Sequence, residues 1–151
     1  MKTNLLLVML ITFAVSFTAY SQTDADREGV KRAALDYAES FYEGNGEKME
    51  GALSPDLAKR IANTNAQGRS GLGHMSAMTL VQIIRTGSGK NTPKDEQIKN
   101  VTILDMMVNS ATVKLEMRDW VDYMHIAKMN GKWVIVNVLW ENKPKKDDKK
   151  P

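Results

Sequence analysis

The spacing of apolar residues changes character near Gln97. Before that point it is helical. Val30, Ala34, Tyr37 and Phe41 fall three or four positions apart and predict an amphipathic helix over 24–42. Asp24 or Asp26 is placed to cap it, the early acids suit the positive helix end, and Gly44-Asn45-Gly46 ends it. Met49, Ala52 and Leu53 mark a second short helix over 47–53. Pro55 then suits the first position of a further helical turn running to about residue 61. Residues 63–73, rich in Asn, Gly and Ser, predict a loop or irregular edge. Met75, Met78 or Thr79, Gln82 and Ile83 restore helical spacing over 75–85, and Gly87 stops it.

After Gln97 four apolar runs follow closely, over 98–108, 111–117, 120–128 and 133–140. Asn109-Ser110 and Asn130-Gly131 separate two pairs as tight turns, and Arg118-Asp119 sits where a third turn or bulge is needed. Helices first and a strand meander second is an α+β order. The strand from Ala111 alternates, with Ala111, Val113, Leu115 and Met117 on one face and polar residues on the other. The last strand loses this contrast. Strict alternation puts Trp133, Ile135 and Leu139 on one face and Val134, Val136, Val138 and Trp140 on the other. A strand apolar on both faces is covered on both, which predicts a homodimer through the sheet face.

Composition changes the picture at the two ends. Lys2 is the only charge before Asp24, an apolar run spans 5–15, and Ala19-Tyr20-Ser21 supplies small-x-small residues. This is the order of a secretory signal peptide over 1–21, so the chain is expected to be exported, periplasmic or secreted. Thr12, Ser16 and Thr18 interrupt the apolar run, and a spanning helix needs about 20 apolar residues. No stable membrane insertion is expected after cleavage. The net charge of +3 is a property of the termini. The tail over 143–151 carries five Lys and two Asp, and with Lys2 also set aside the body over 22–142 is net −1. Nucleic-acid binding is therefore not expected, and the tail reads as a disordered basic end. With no Cys there is no disulfide framework, thiolate nucleophile or thiolate metal site.

Two stretches narrow the family. The segment Val121-Asp122-Tyr123-Met124-His125, followed by Asn130-Gly131-Lys132-Trp133-Val134-Ile135-Val136-Asn137-Val138-Leu139-Trp140, resembles the "putative lumazine-binding" branch of the nuclear-transport-factor-2-like superfamily. Leu53-Ser54-Pro55-Asp56-Leu57-Ala58-Lys59-Arg60 and the loop plus helix over 73–87 fit the same resemblance, which covers about 26–144. The resemblance implies a cone: a curved, mostly antiparallel sheet, three helices closing its concave side, and often a sheet-to-sheet dimer. It also implies a small apolar or aromatic ligand in the cone, with isomerases, dehydratases or cyclases among the relatives. The chain departs from the family pattern at Ser54, where a His precedes the Pro-Asp.

Candidate chemistry is sparse. Tyr123 and His125 are two apart on a strand, about 6.6 Å along it, and share a face. They can bind a polar ligand atom, His125 can serve as acid or base, or both can simply pack. Asp119 shares that face but lies about 20 Å from His125 along an extended strand, so the two form no dyad there. Asp122 falls on the opposite face and reads as solvated or subunit-facing. Asn137 is a buried group paired to backbone or a pocket donor. Tyr37, Phe41 and Trp140 belong near the helix–sheet space, either lining a cavity for a flat ligand or filling the core.

The Gly71-Leu72-Gly73 lead into His74, read as a helix opening, lacks the strand a dinucleotide fingerprint requires. Gly87-Ser88-Gly89-Lys90 has the wrong spacing for a phosphate loop, and Asn91 stands where Ser or Thr is needed. Two His residues 51 positions apart do not make a metal site, and no cofactor is expected. Three readings follow: a non-catalytic small-molecule binder, a cone-fold isomerase, dehydratase or cyclase using His125, or an interaction module without a pocket.

Overall fold

The computed structural model describes residues 23–144. The expected signal peptide and nearly all of the expected tail lie outside them. Three helices pack on one face of a curved six-stranded sheet, in the order α1 (Asp24–Glu43), α2 (Gly46–Ala52), β1 (Leu53–Thr64), β2 (Ser70–Met75), α3 (Ala77–Arg85), β3 (Lys99–Met106), β4 (Ser110–Met117), β5 (Trp120–Met129) and β6 (Lys132–Asn142). The spatial order is β2-β1-β6-β5-β4-β3. All neighbours are antiparallel except β1 and β6, whose parallel pairing brings the first strand to the last.

The expected α+β order holds, with local corrections. Thr23 caps α1, accepting from the Asp26 amide, while Gly44 in left-handed conformation ends it. The Asn130-Gly131 turn has positive φ at both residues, as a two-residue hairpin of its type requires. The helical turn expected after Pro55 does not form. Ser54 accepts from the Asp56 amide to start an extended strand, and Leu57 and Lys59 turn inward at period two. Ala58, Lys59 and Arg60 are good helix formers, but pairing with β2 and β6 overrides that preference. His74 likewise lies in β2, paired with Arg60, and α3 begins only after the Ser76 cap.

The last strand is corrected too. The register of β5 and β6 shifts between His125–Asn137 and Ile126–Ile135, leaving Val136 as a bulge. The bulge reverses the parity of the strand. Trp133 and Ile135 point to the helices, and so do Val138 and Trp140, while Leu139 is turned out. The core therefore sits between the helices and the concave face, built from Val30, Ala34, Tyr37, Met49, Ile84, Val113, Leu115, Met124, Ile126 and Ile135 among others.

Candidate functional site

Within this helix–sheet space lies a cavity of about 350 Å³. Its walls include Phe41 from α1, Met49 from α2, Met75 at the end of β2, and Leu80, Ile83 and Ile84 from α3. Trp120 and Trp140 close the strand side. Phe41 meets Trp120 edge to face, with centroids 4.9 Å apart and planes at 87°. Gly89 holds Phe41 from behind. A Cβ there would lie 2.4 Å from the Phe41 carbonyl oxygen and 2.6 Å from its ring, so this position has no room for a side chain.

The floor of the cavity is polar. Lys59, only 5% exposed, projects inward from β1. Its Nζ donates to Asp122 Oδ1 at 2.5 Å and to Tyr37 Oη at 2.9 Å. The ammonium lies 4.8 Å from the centre of the Trp140 ring and 5.5 Å from that of Tyr37. Asp122 is fully buried, and Trp120 Nε1 donates to its second oxygen at 2.7 Å. The Tyr37 hydroxyl donates to Asp122 Oδ1 at 3.5 Å. All buried side-chain polar atoms among the described residues have partners.

Burial dominates the electrostatics. It raises the Asp122 carboxyl above its ordinary value, against the pull of Lys59 and its hydrogen bonds. It lowers the Lys59 amine, against the pull of Asp122. Burial and the neighbouring Asp122 charge push the Tyr37 phenol well up. The dry site thus narrows the gap between acid and base, and the pair is held by its hydrogen bonds rather than by solvent.

The six expected site residues divide between two faces. Tyr37, Phe41 and Trp140 line the cavity. Tyr123, His125 and Asn137 lie on the outer face, away from the helices. There Arg60 Nη1 donates to Asn137 Oδ1 at 3.1 Å, and Asn137 Nδ2 lies 3.4 Å from His125 Nδ1. His125 is therefore corrected as an acid or base for a cone-bound substrate: strand parity turns it across the sheet from the cavity. Asp122 is corrected from solvated to buried, and Asn137 from cavity donor or backbone partner to an outer-face partner of Arg60.

Lys59, Trp120 and the Asp122 role were missed by the reading from residues. Lys59 was hidden by the helical assignment of its segment. Asp122 was legible, because β4 and β5 pair Leu115 with Asp122, and residues opposite each other share a face. Leu115 is inward, so Asp122 must be. Among the described residues no cluster of acids and His is arranged to hold a metal.

Comparison with known proteins places this geometry. Similar folds occur in a nuclear-transport-factor-2-like protein of unknown function from Shewanella baltica OS155, at 16% identity and TM-score 0.59, covering 83% of this chain and 100% of that one. A counterpart from Methylobacillus flagellatus KT shows 18% identity and TM-score 0.59, with 83% and 98% coverage. A cystatin-like-fold protein of unknown function from Nostoc punctiforme PCC 73102 shows 15% identity and TM-score 0.53, with 83% and 96% coverage. No curated protein matches the chain in sequence. The family model described as "Putative lumazine-binding" matches residues 25–141, and the chain belongs to that family, with the nuclear-transport-factor-2-like fold expected from its sequence.

Proposed function

We propose that the protein is a non-catalytic binder of a small, flat, largely apolar molecule, held in the cavity between Phe41, Trp120 and Trp140. The observation that carries this reading is the cavity itself. A cone serving only as an interaction module would be filled by side chains, whereas about 350 Å³ stands open beside a polar floor. The polar groups are few and convergent, which suits orientation of a ligand. Asp122 is sequestered by Lys59, Tyr37 and Trp120, and His125 faces away, so the side chains reaching the cavity favour holding over turnover. The family description names lumazine, a bicyclic ring of the size class the cavity accepts.

We further propose export to the periplasm or medium, and a homodimer through the outer face. The dimer reading is supported by the cross-strand pair Tyr123 and Leu139, 45% and 48% exposed, with half-buried Val121 on the same face of β5 and half-buried Val134 and Val136 further along β6.

Titration of intrinsic tryptophan fluorescence with lumazine and matched bicyclic compounds tests the binding reading. Saturable change is expected in the wild type and its loss in Ile83→Trp, which fills the cavity. Saturation that survives in a folded Ile83→Trp protein refutes it. Equilibrium sedimentation tests the dimer: a dimer mass is expected, and a monomer in Leu139→Arg. A wild-type monomer at micromolar concentration refutes it. N-terminal sequencing of the protein from its host's exported fraction tests the signal peptide, with Gln22 expected first.

A further inference from the structure

The polar floor specifies what charge the ligand carries. A lysine ammonium has three N–H donors. In Lys59 two are taken, by Asp122 and by Tyr37. Of this cluster Lys59, Tyr37 and Trp120 reach the cavity wall, and the indole N–H of Trp120 is already given to Asp122. Asp122 does not line the cavity and sits behind Lys59, fully buried. From its buried floor the cavity therefore receives one charged N–H donor, already balanced at 2.5 Å, while the neutral amide of Asn142 stands apart in its lining.

The second acid near the cavity is balanced as well. Asp119 lines it, and the Arg118 guanidinium holds Asp119 at 3.0 Å. An anionic ligand would enter a space whose only lining cation among the described residues is compensated, and would bring an unpaired charge into low dielectric. A cationic ligand fares no better. The Trp140 face that would receive it is the one Lys59 Nζ approaches at 4.8 Å.

Resting on the binding reading above, we propose that the cavity selects an electrically neutral planar molecule carrying a carbonyl-type oxygen that accepts from Lys59 Nζ, and that Asp122 is the residue setting this charge preference. Asp122 acts through Lys59 and does not touch the ligand. Its removal as a charge, in Asp122→Asn, leaves the Lys59 ammonium uncompensated beside the cavity. The preference then inverts toward carboxylates, because a bound carboxylate supplies the missing partner.

The test uses three bicyclic probes of similar size: coumarin, neutral with a ring carbonyl; 2-naphthoate, anionic; and N-methylquinolinium, cationic. Binding is followed by calorimetry and by tryptophan fluorescence. The wild type is expected to bind coumarin at least about tenfold more tightly than either ion, a difference of about 1.4 kcal/mol. Naphthalene, which lacks the acceptor, is expected to bind more weakly than coumarin in the wild type and equally in Lys59→Met. Asp122→Asn is expected to gain affinity for 2-naphthoate over coumarin.

Wild-type protein that binds 2-naphthoate as tightly as coumarin overturns the charge inference and leaves the binding reading standing. If none of the four compounds binds wild type, the binding reading falls and the inference falls with it. Should the single variants fail to fold, the wild-type comparison and the double variant Lys59→Met with Asp122→Leu, which also lacks the donor and is expected to bind coumarin and naphthalene equally, decide alone. A folded Asp122→Asn protein that keeps the wild-type preference overturns the role of Asp122.

Discussion

The two faces of the sheet carry nearly the same kinds of residues and treat them oppositely. Neighbours along one strand are the clearest comparison. On β1, Lys59 is 5% exposed and bonded to a fully buried acid, while Arg60 reaches outward to Asn137. On β5, Asp122 is sealed under Trp120 and Tyr37, while Tyr123 is 45% exposed beside it. On β6, Trp140 lines the cavity, while Leu139 is 48% exposed. The difference teaches that residue type says little about role here. A one-residue change of parity decides whether a charge is held in a dry network, where losing a partner is costly, or in water, where it is cheap.

The largest expected effect breaks the inner network. Asp122→Ala strands the Lys59 ammonium in the core and is expected to cost about 3–5 kcal/mol in urea denaturation. Replacing both partners with apolar residues, Lys59→Met with Asp122→Leu, is expected to recover most of that loss, since a buried pair offers little net stability over good packing. A double variant as unstable as Asp122→Ala would show that the site needs its charges for more than mutual satisfaction.

Trp120→Phe keeps the ring but removes the donor to Asp122 Oδ2, with an expected loss of about 1.5–3 kcal/mol by the same measurement. On the outer face the comparison predicts much less. Asn137→Ala and His125→Ala are expected to stay within about 1 kcal/mol of wild type, because the groups they leave unpaired reach water. They should also leave ligand affinity unchanged. An outer-face variant that weakens binding tenfold would erase the distinction between faces.

The smallest effect concerns an ion pair at the edge of the helix–sheet contact. Asp26 accepts from Lys128 Nζ at 2.6 Å, and also from the Thr23 hydroxyl and Trp133 Nε1. These bonds, that of Lys128 foremost, lower its carboxyl from 3.8 to about 2. A folded-state value below the unfolded one gives stability that is fully present above pH 3.8 and fades as pH falls through about 2. Thermal melts between pH 5 and pH 2 are expected to be flatter in Asp26→Asn than in wild type. Identical slopes would show that the ion pair adds nothing to stability.

The sequence carried the fold well because its strongest signals are periodic ones. The α1 face, the alternation of β4 and the Asn130-Gly131 turn each follow from local geometry, and each stands as expected. What local reading lost was parity across interruptions. One bulge residue, Val136, separates two stretches of β6 that otherwise alternate perfectly: Trp133 and Ile135, then Val138 and Trp140. Counting through it sends Leu139 inward and Trp140 outward, the reverse of what the structure shows. A bulge is fixed by the partner strand and leaves no local mark. The β1 segment failed for a related reason, since its residues favour helix until neighbouring strands claim them. Tyr37 and Phe41 were placed at the cavity by helix spacing and Trp140 by ring size alone, against its strand count, but Lys59 and Asp122 are brought together from positions 63 residues apart.

The central claim is that the helix-facing cavity, and not the outer face, receives the ligand. Amide and indole chemical-shift mapping with coumarin tests it most directly, since the three tryptophans are reporters at different places. Shifts are predicted to concentrate at Tyr37, Lys59, Asp122 and the indoles of Trp120 and Trp140, with Trp133 unmoved. Shifts concentrated at Tyr123, His125, Asn137 and Leu139 would contradict the account.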